Sequence, residues 1–114
     1  MRQDHVAVEV VRSPGRVTLR VTGEIDMSTA PSVHEAAVGA IRHHPTLDID
    51  LSAVTFMDSS GLHMLLATKQ LAERRGGHLR LLNPTPSVKR ILEVTGVDGM
   101  FEIETDDPAA TGGT

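Results

Sequence analysis

Residues 47–51 read Leu-Asp-Ile-Asp-Leu. Strict alternation of this kind is the pattern of a half-buried strand, because successive side chains point to opposite faces. Leu47, Ile49 and Leu51 share one face, and Asp48 and Asp50 the other. A sheet covered by helices on both sides would bury both carboxylates, which is costly. The segment therefore restricts the fold to a sheet with helices on one face and predicts a solvated face carrying Asp48 and Asp50. Two aspartates at this spacing could also form a catalytic carboxylate pair or hold a divalent cation. No further acidic ligand lies nearby in sequence, so a solvated face is the better reading.

The remaining segments fit the same plan. Residues 5–11 are strand-like, with Val6, Val8 and Val10 on one side. Ser13-Pro14-Gly15 is a turn signal, and residues 16–22 alternate again, Val17, Leu19 and Val21 against Arg16, Thr18 and Arg20. The two strands are expected to pair as a hairpin. After an exit loop over residues 23–26, a helix is expected to start near Ser28 or Thr29, with Pro31 in its first turn. Val33, Ala36, Ala37, Ala40 and Ile41 form its apolar stripe, and His43-His44-Pro45 ends it. The two histidines could be metal ligands, but adjacent residues on a helix diverge and no third ligand is evident. Residues 53–58 read as a connecting loop. A second helix follows over residues 59–75, with Leu62, Met64, Leu65, Leu66, Leu71 and Ala72 inward and Gly76-Gly77 as its stop. Residues 78–82 read as the fourth strand. Thr85 is a candidate cap for a third helix with Pro86 at its first position. Val88, Ile91, Leu92 and Thr95 form that helix's inner stripe, and Gly96 ends it. Residues 101–103 make a short last strand. The order, strand–strand–helix–strand–helix–strand–helix–strand, implies a parallel or mixed sheet joined by right-handed crossovers.

A chain of 114 residues suits one core. With 39% hydrophobic and 23% charged residues it has a globular composition. Two phenylalanines are the only aromatics, so the core must be aliphatic and base stacking on aromatics is disfavoured. A net charge of −4 without a basic run disfavours direct binding to nucleic acid or to an anionic membrane. The absence of cysteine excludes disulfides and thiol chemistry. No secretory or membrane-spanning pattern is found, so the cytoplasm is the expected compartment.

Phe56-Met57-Asp58-Ser59-Ser60-Gly61-Leu62 stands between a strand pattern and a helix pattern. Asp or Ser at such a junction can cap the helix, whose positive end favours negative charge. On local chemistry alone this is a well-capped helix. The whole string, however, resembles the signature of the STAS domain (sulfate transporter and anti-sigma factor antagonist), and in particular the free-standing anti-sigma factor antagonists of bacteria. Val21-Thr22-Gly23-Glu24-Ile25-Asp26, Gly76-Gly77, Pro84, the run from Val88 to Leu92, and Thr95-Gly96 extend the resemblance over most of the chain. The resemblance implies a STAS-like mixed β-sheet with helices packed on one face and the other face largely open. It implies one STAS domain over residues 5–104; the tail, residues 105–114, rich in Pro, Ala, Gly and Thr, is expected to fray. Family members of this type often carry a further C-terminal helix, for which this sequence has little room.

The resemblance also implies a function. The Ser after the Asp, here Ser59 with Ser60 as the fallback, would be phosphorylated by the partner, an anti-sigma factor that is also a serine kinase. A serine phosphatase would reverse this. Unphosphorylated, the chain would bind the anti-sigma factor and free a sigma factor for transcription. Partner contacts would come from Asp26, Asp58, Ser59, Ser60, Gly61 and His63. No cofactor or metal is expected, since ATP and magnesium would belong to the kinase. A STAS subunit without a switch, in a signalling assembly or a lipid-transport complex, is the alternative, but such a subunit needs no hydroxyl in the motif. An enzyme using Asp58, Ser59 and His63 is disfavoured. His63 lies one turn along the same helix as Ser59, and neither a nucleophile elbow nor a phosphate-cradling glycine loop is present. His63 is bulkier than the small residue often found there in the family, and is either a tuner of partner choice or a surface histidine.

Overall fold

The computed structural model describes residues 6–105. Its elements are β1 (Val6–Ser13), β2 (Arg16–Ile25), α1 (Ala30–His43), β3 (Leu47–Met57), α2 (Ser59–Arg74), β4 (Leu79–Leu82), α3 (Pro86–Val94), a 3₁₀ turn (Asp98–Met100) and β5 (Glu102–Glu104). The five strands lie in the order β1-β2-β3-β4-β5, with β1 antiparallel to β2 and the others parallel. Parallel neighbours added always on the same side, through right-handed crossovers, set all three helices on one face. The expected tail begins at residue 105, and from 106 onward it lies outside the described residues, as does His5.

Local chemistry explains the boundaries. Pro14 and Gly15 form the two-residue hairpin loop between the paired Ser13 and Arg16, with Gly15 at φ 78°. α2 and α3 end alike. Gly76 and Gly96 adopt φ 85° and 75°, Gly77 N–H bonds the Ala72 carbonyl at 2.9 Å, and Val97 N–H bonds that of Leu92 at 3.0 Å. Both are Schellman motifs, which satisfy carbonyls that the helix leaves free.

The core is aliphatic. Val17, Leu19 and Val21 of β2 and Leu47, Ile49 and Leu51 of β3 are buried against Val33, Ala37 and Ile41 of α1, Leu62 and Leu65 of α2, and Val88 and Leu92 of α3. Thr68, absent from the expected α2 stripe, is fully buried, its hydroxyl donating to the Met64 carbonyl at 2.8 Å. Thr95, placed in the α3 stripe by its spacing, is exposed, because that helix ends at Val94.

Three further expectations need correction. Asp48 lies on the face opposite the helices, but it is not solvated: only 2% of it is exposed. Its cover is ionic rather than helical. Arg80 of β4, its in-register neighbour, donates to both carboxylate oxygens at 2.9 and 2.7 Å, and Arg16 Nε lies 3.4 Å from Oδ2. Arg80 also reaches Glu104 at 2.7 Å, and Arg20 spans Glu9 at 3.4 Å and Asp50 at 3.8 Å. The open face is thus a lattice of charge pairs. Second, residues 53–57 are strand, not loop. β3 carries two extra residues against β2, one between the Arg20 and Thr22 pairings and one between those of Gly23 and Glu24. Bulges shift the alternation that the sequence pattern relies on. Third, Thr85 is the N-cap residue of α3 as expected, but its side chain makes no cap bond; its hydroxyl donates to the Val54 carbonyl at 2.7 Å and ties α3 to β3.

Candidate functional site

The parallel pairing of β2 and β3 ends at Ile25↔Met57, so both strands deliver their following turns to one rim of the sheet. Asp58 N–H donates to the Ile25 carbonyl at 3.2 Å and joins the two turns. The second bulge turns Phe56 outward, 48% exposed, and Met57 inward, 4% exposed.

Asp58 is the N-cap of α2. Its Oδ1 accepts Ser60 N–H at 2.8 Å, and its carbonyl accepts Leu62 N–H at 3.1 Å. Ser59 is the first helical residue. It is exposed, and among the described residues no hydrogen bond occupies its hydroxyl. Ser60 is half-buried. His63 is exposed one turn along the same helix, so it does not approach Ser59 from a separate element as a catalytic base would. Gly61 is buried: a Cβ there would overlap Met57 Cγ and stand 2.9 Å from Ile25 Cγ2. It seats the first turn of α2 on the two strand ends rather than offering a surface.

The β2–α1 turn is held by one carboxylate. Asp26 Oδ1 accepts Ser28 N–H at 2.9 Å, Ser28 Oγ–H at 2.8 Å and Thr29 N–H at 3.1 Å. These bonds, that from the Ser28 hydroxyl foremost, hold Asp26 below the usual carboxylate pKa. Thr29, near which α1 was expected to start, is its N-cap residue, but its hydroxyl is buried and makes no cap bond. It donates to the Glu24 carbonyl at 2.7 Å and accepts Asp26 N–H at 2.9 Å. The Asp26 side chain holds the turn, and its carbonyl accepts the first helical N–H, that of Ala30, at 2.8 Å.

A shallow depression lined by Asp26, Met27, Ser28 and Asp58 brings the two predicted acids together. Ser59 and Ser60 continue from Asp58 along α2. The sequence reading missed Met27, 78% exposed in this depression, and the exposure of Phe56. An apolar residue in a polar loop, and one of only two aromatics, were the available signals. No cluster of three potential metal ligands occurs among the described residues, and no described helix is long and apolar enough to cross a membrane.

A fold of this topology, with an Asp-capped Ser-Ser-Gly turn on the rim, can be set beside known proteins. The family described as "Mlab, STAS domain" matches residues 8–103, and the chain belongs to the STAS family. Within it, the chain is similar to proteins named anti-sigma factor antagonists. It is 32% identical over 102 residues to the anti-sigma-B factor antagonist of Listeria monocytogenes, covering 88% of this chain and 90% of the relative. Identity to the anti-sigma-F factor antagonist RsfB of Mycobacterium tuberculosis is 43% over 68 residues, 59% of this chain and 56% of that one. The crystal structure of an anti-sigma factor antagonist from Mycobacterium paratuberculosis superposes with a TM-score of 0.80 at 35% identity, covering 94% of this chain and 92% of that chain.

Proposed function

We propose that the chain is an anti-sigma factor antagonist whose rim binds an anti-sigma factor with serine kinase activity, and whose switch is Ser59. The observation that carries the reading is the Ser59 hydroxyl: exposed and unbonded, at the first position of a helix whose cap is the neighbouring carboxylate. The names of the relatives support the partner class.

In the binding state Ser59 is a neutral hydroxyl, with Asp26, Met27, Asp58 and His63 as further contacts for the partner. The kinase transfers the γ-phosphoryl group of ATP to Ser59 Oγ. The β–γ phosphoanhydride bond breaks, an O–P bond forms, the hydroxyl proton goes to a base of the kinase, and ADP leaves. A serine phosphatase restores the hydroxyl by hydrolysis. Asp58 is committed to Ser60 N–H through Oδ1, so its part here is to set the turn. The phosphate adds about −1.5 to −2 charges beside Asp58. At the interface it meets groups arranged for a hydroxyl, and mismatched charge there costs several kcal/mol. Release of the partner follows without a change of fold.

The test uses the anti-sigma factor that co-purifies with the chain. Incubation with ATP should add one phosphoryl group, located at Ser59 by peptide mass spectrometry. Ser59→Ala should abolish it and keep full affinity, and Ser59→Asp should bind weakly. Unreduced phosphorylation of Ser59→Ala would refute the site. A membrane transporter complex as the co-purifying partner would instead identify a STAS subunit without a switch.

A further inference from the structure

The sheet has two edges, and they differ. β5 has three residues, two of them the exposed Glu102 and Glu104. Short, charged edge strands are how sheets avoid pairing with other chains. β1, at the other edge, has eight residues in unbroken register with β2, from Val6↔Gly23 to Ser13↔Arg16. It carries four valines and no lysine, proline or bulge. Its outer backbone N–H and C=O groups have no strand beside them among the described residues. Val10 is opposite the fully buried Leu19, and directly opposed residues share a face, yet Val10 is 44% exposed. The apolar layer therefore reaches the edge uncovered.

We propose that this edge is a self-association surface: β1 of one copy adds antiparallel to β1 of a second, with the two-fold axis at Val10. The register follows from charge and length. An axis at Glu9 would set Glu9 against its own copy, and one at Arg12 would do the same with arginine; like charges directly opposed are destabilising. An axis at Val10 pairs Val10 with Val10, Glu9 with Val11, Val8 with Arg12 and Ala7 with Ser13. It avoids both repulsions and, among the registers that do, gives the longest overlap within β1, residues 7–13. Arg12 can lay its aliphatic stem over Val8, and Glu9 keeps its contact with Arg20. A closed two-fold contact of this kind uses the same patch on both copies. It joins two five-stranded sheets into one of ten strands, with all the helices on one side. The strands of the second copy run the opposite way, so the two Ser59 rims lie at opposite ends and stay open. The dimer is independent of the switch.

The chain contains no cysteine, so one introduced thiol reports the register cleanly. Under mild oxidation Val10→Cys should form a disulfide-linked dimer, because residue 10 faces its own copy. Val11→Cys, facing Glu9 on the other side of the sheet, should not. Sedimentation equilibrium of the unmodified chain should show the mass rising towards twice the monomer with concentration. Val10→Lys should raise the dimer dissociation constant at least about tenfold, with an unchanged melting temperature at concentrations where both chains are monomeric, while Val10→Thr keeps the dimer. A chain monomeric at every concentration overturns the proposal. So does a dimer that survives Val10→Lys, or equal crosslinking of the Val10→Cys and Val11→Cys variants.

Discussion

Gly61 fixes the turn that carries Ser59 by lacking a side chain. A Cβ at this position would press on Met57 and Ile25, both buried. Gly61→Ala should therefore cost about 1–3 kcal/mol, the usual penalty of overpacking. Urea unfolding measures it, and a loss below a few tenths would show that Met57 simply moves aside. Asp26 offers a titration. Its folded-state pKa is depressed, so the stability it contributes is present above the ordinary carboxylate value and is lost as pH falls through the depressed one. Ser28→Ala removes the largest cause, and the Asp26 midpoint followed by carboxyl NMR should rise towards about 3.9. An unmoved midpoint would mean that the backbone donors alone set it. Among the described residues, Arg80→Met leaves the buried Asp48 with only Arg16 at 3.4 Å. Removing one partner of a buried pair costs about 3 kcal/mol, so this variant should be far less stable than Arg20→Met, whose ion pairs are more exposed and longer.

At the scale of elements, β3 and α2 carry the testable weight. Ile49 is fully buried, and Ile49→Ala should cost about 2–5 kcal/mol. Asp50→Asn should stay within about 0.5 kcal/mol, as surface changes do; the reverse order in urea titrations would contradict the assignment of faces. For α2, a phosphate on Ser59 enters the positive end of the helix, where negative charge is favourable by about 0.3–1 kcal/mol. Thermal melting of the phosphorylated chain should hold or rise slightly, while affinity for the anti-sigma factor falls by tenfold for each ~1.4 kcal/mol of mismatch. A collapsed melting temperature would place the effect in the domain instead of the complex. Helix ends were legible in the sequence because Gly76 and Gly96 act locally. The hydroxyl of Thr85 was not, since the Val54 carbonyl it bonds lies 31 residues away in β3 and only the fold brings it near.

For the whole molecule, one line of alternating residues was enough to assign the helices to one side, because that argument needs only the direction of side chains. The state of Asp48 needed its partners. Arg80 arrives from 32 residues away through strand register, which no local pattern records. The site divides in the same way. The helix start at Asp58 was read from its own turn, whereas the role of Ser59 and its neighbourhood with Asp26 were implied by family resemblance, and that neighbourhood rests on the Ile25↔Met57 pairing. That pairing has a consequence in time. Ser59 stands on a turn tied to Ile25 by the Asp58 N–H bond and by the seat of Gly61, groups more than 30 positions apart in sequence. Closing so long a loop is among the slow events of folding. A chain still emerging from the ribosome, or one with β3 torn from β2, does not display the finished turn. Any partner that recognises this turn can therefore recognise only a chain whose β2 and β3 are already paired.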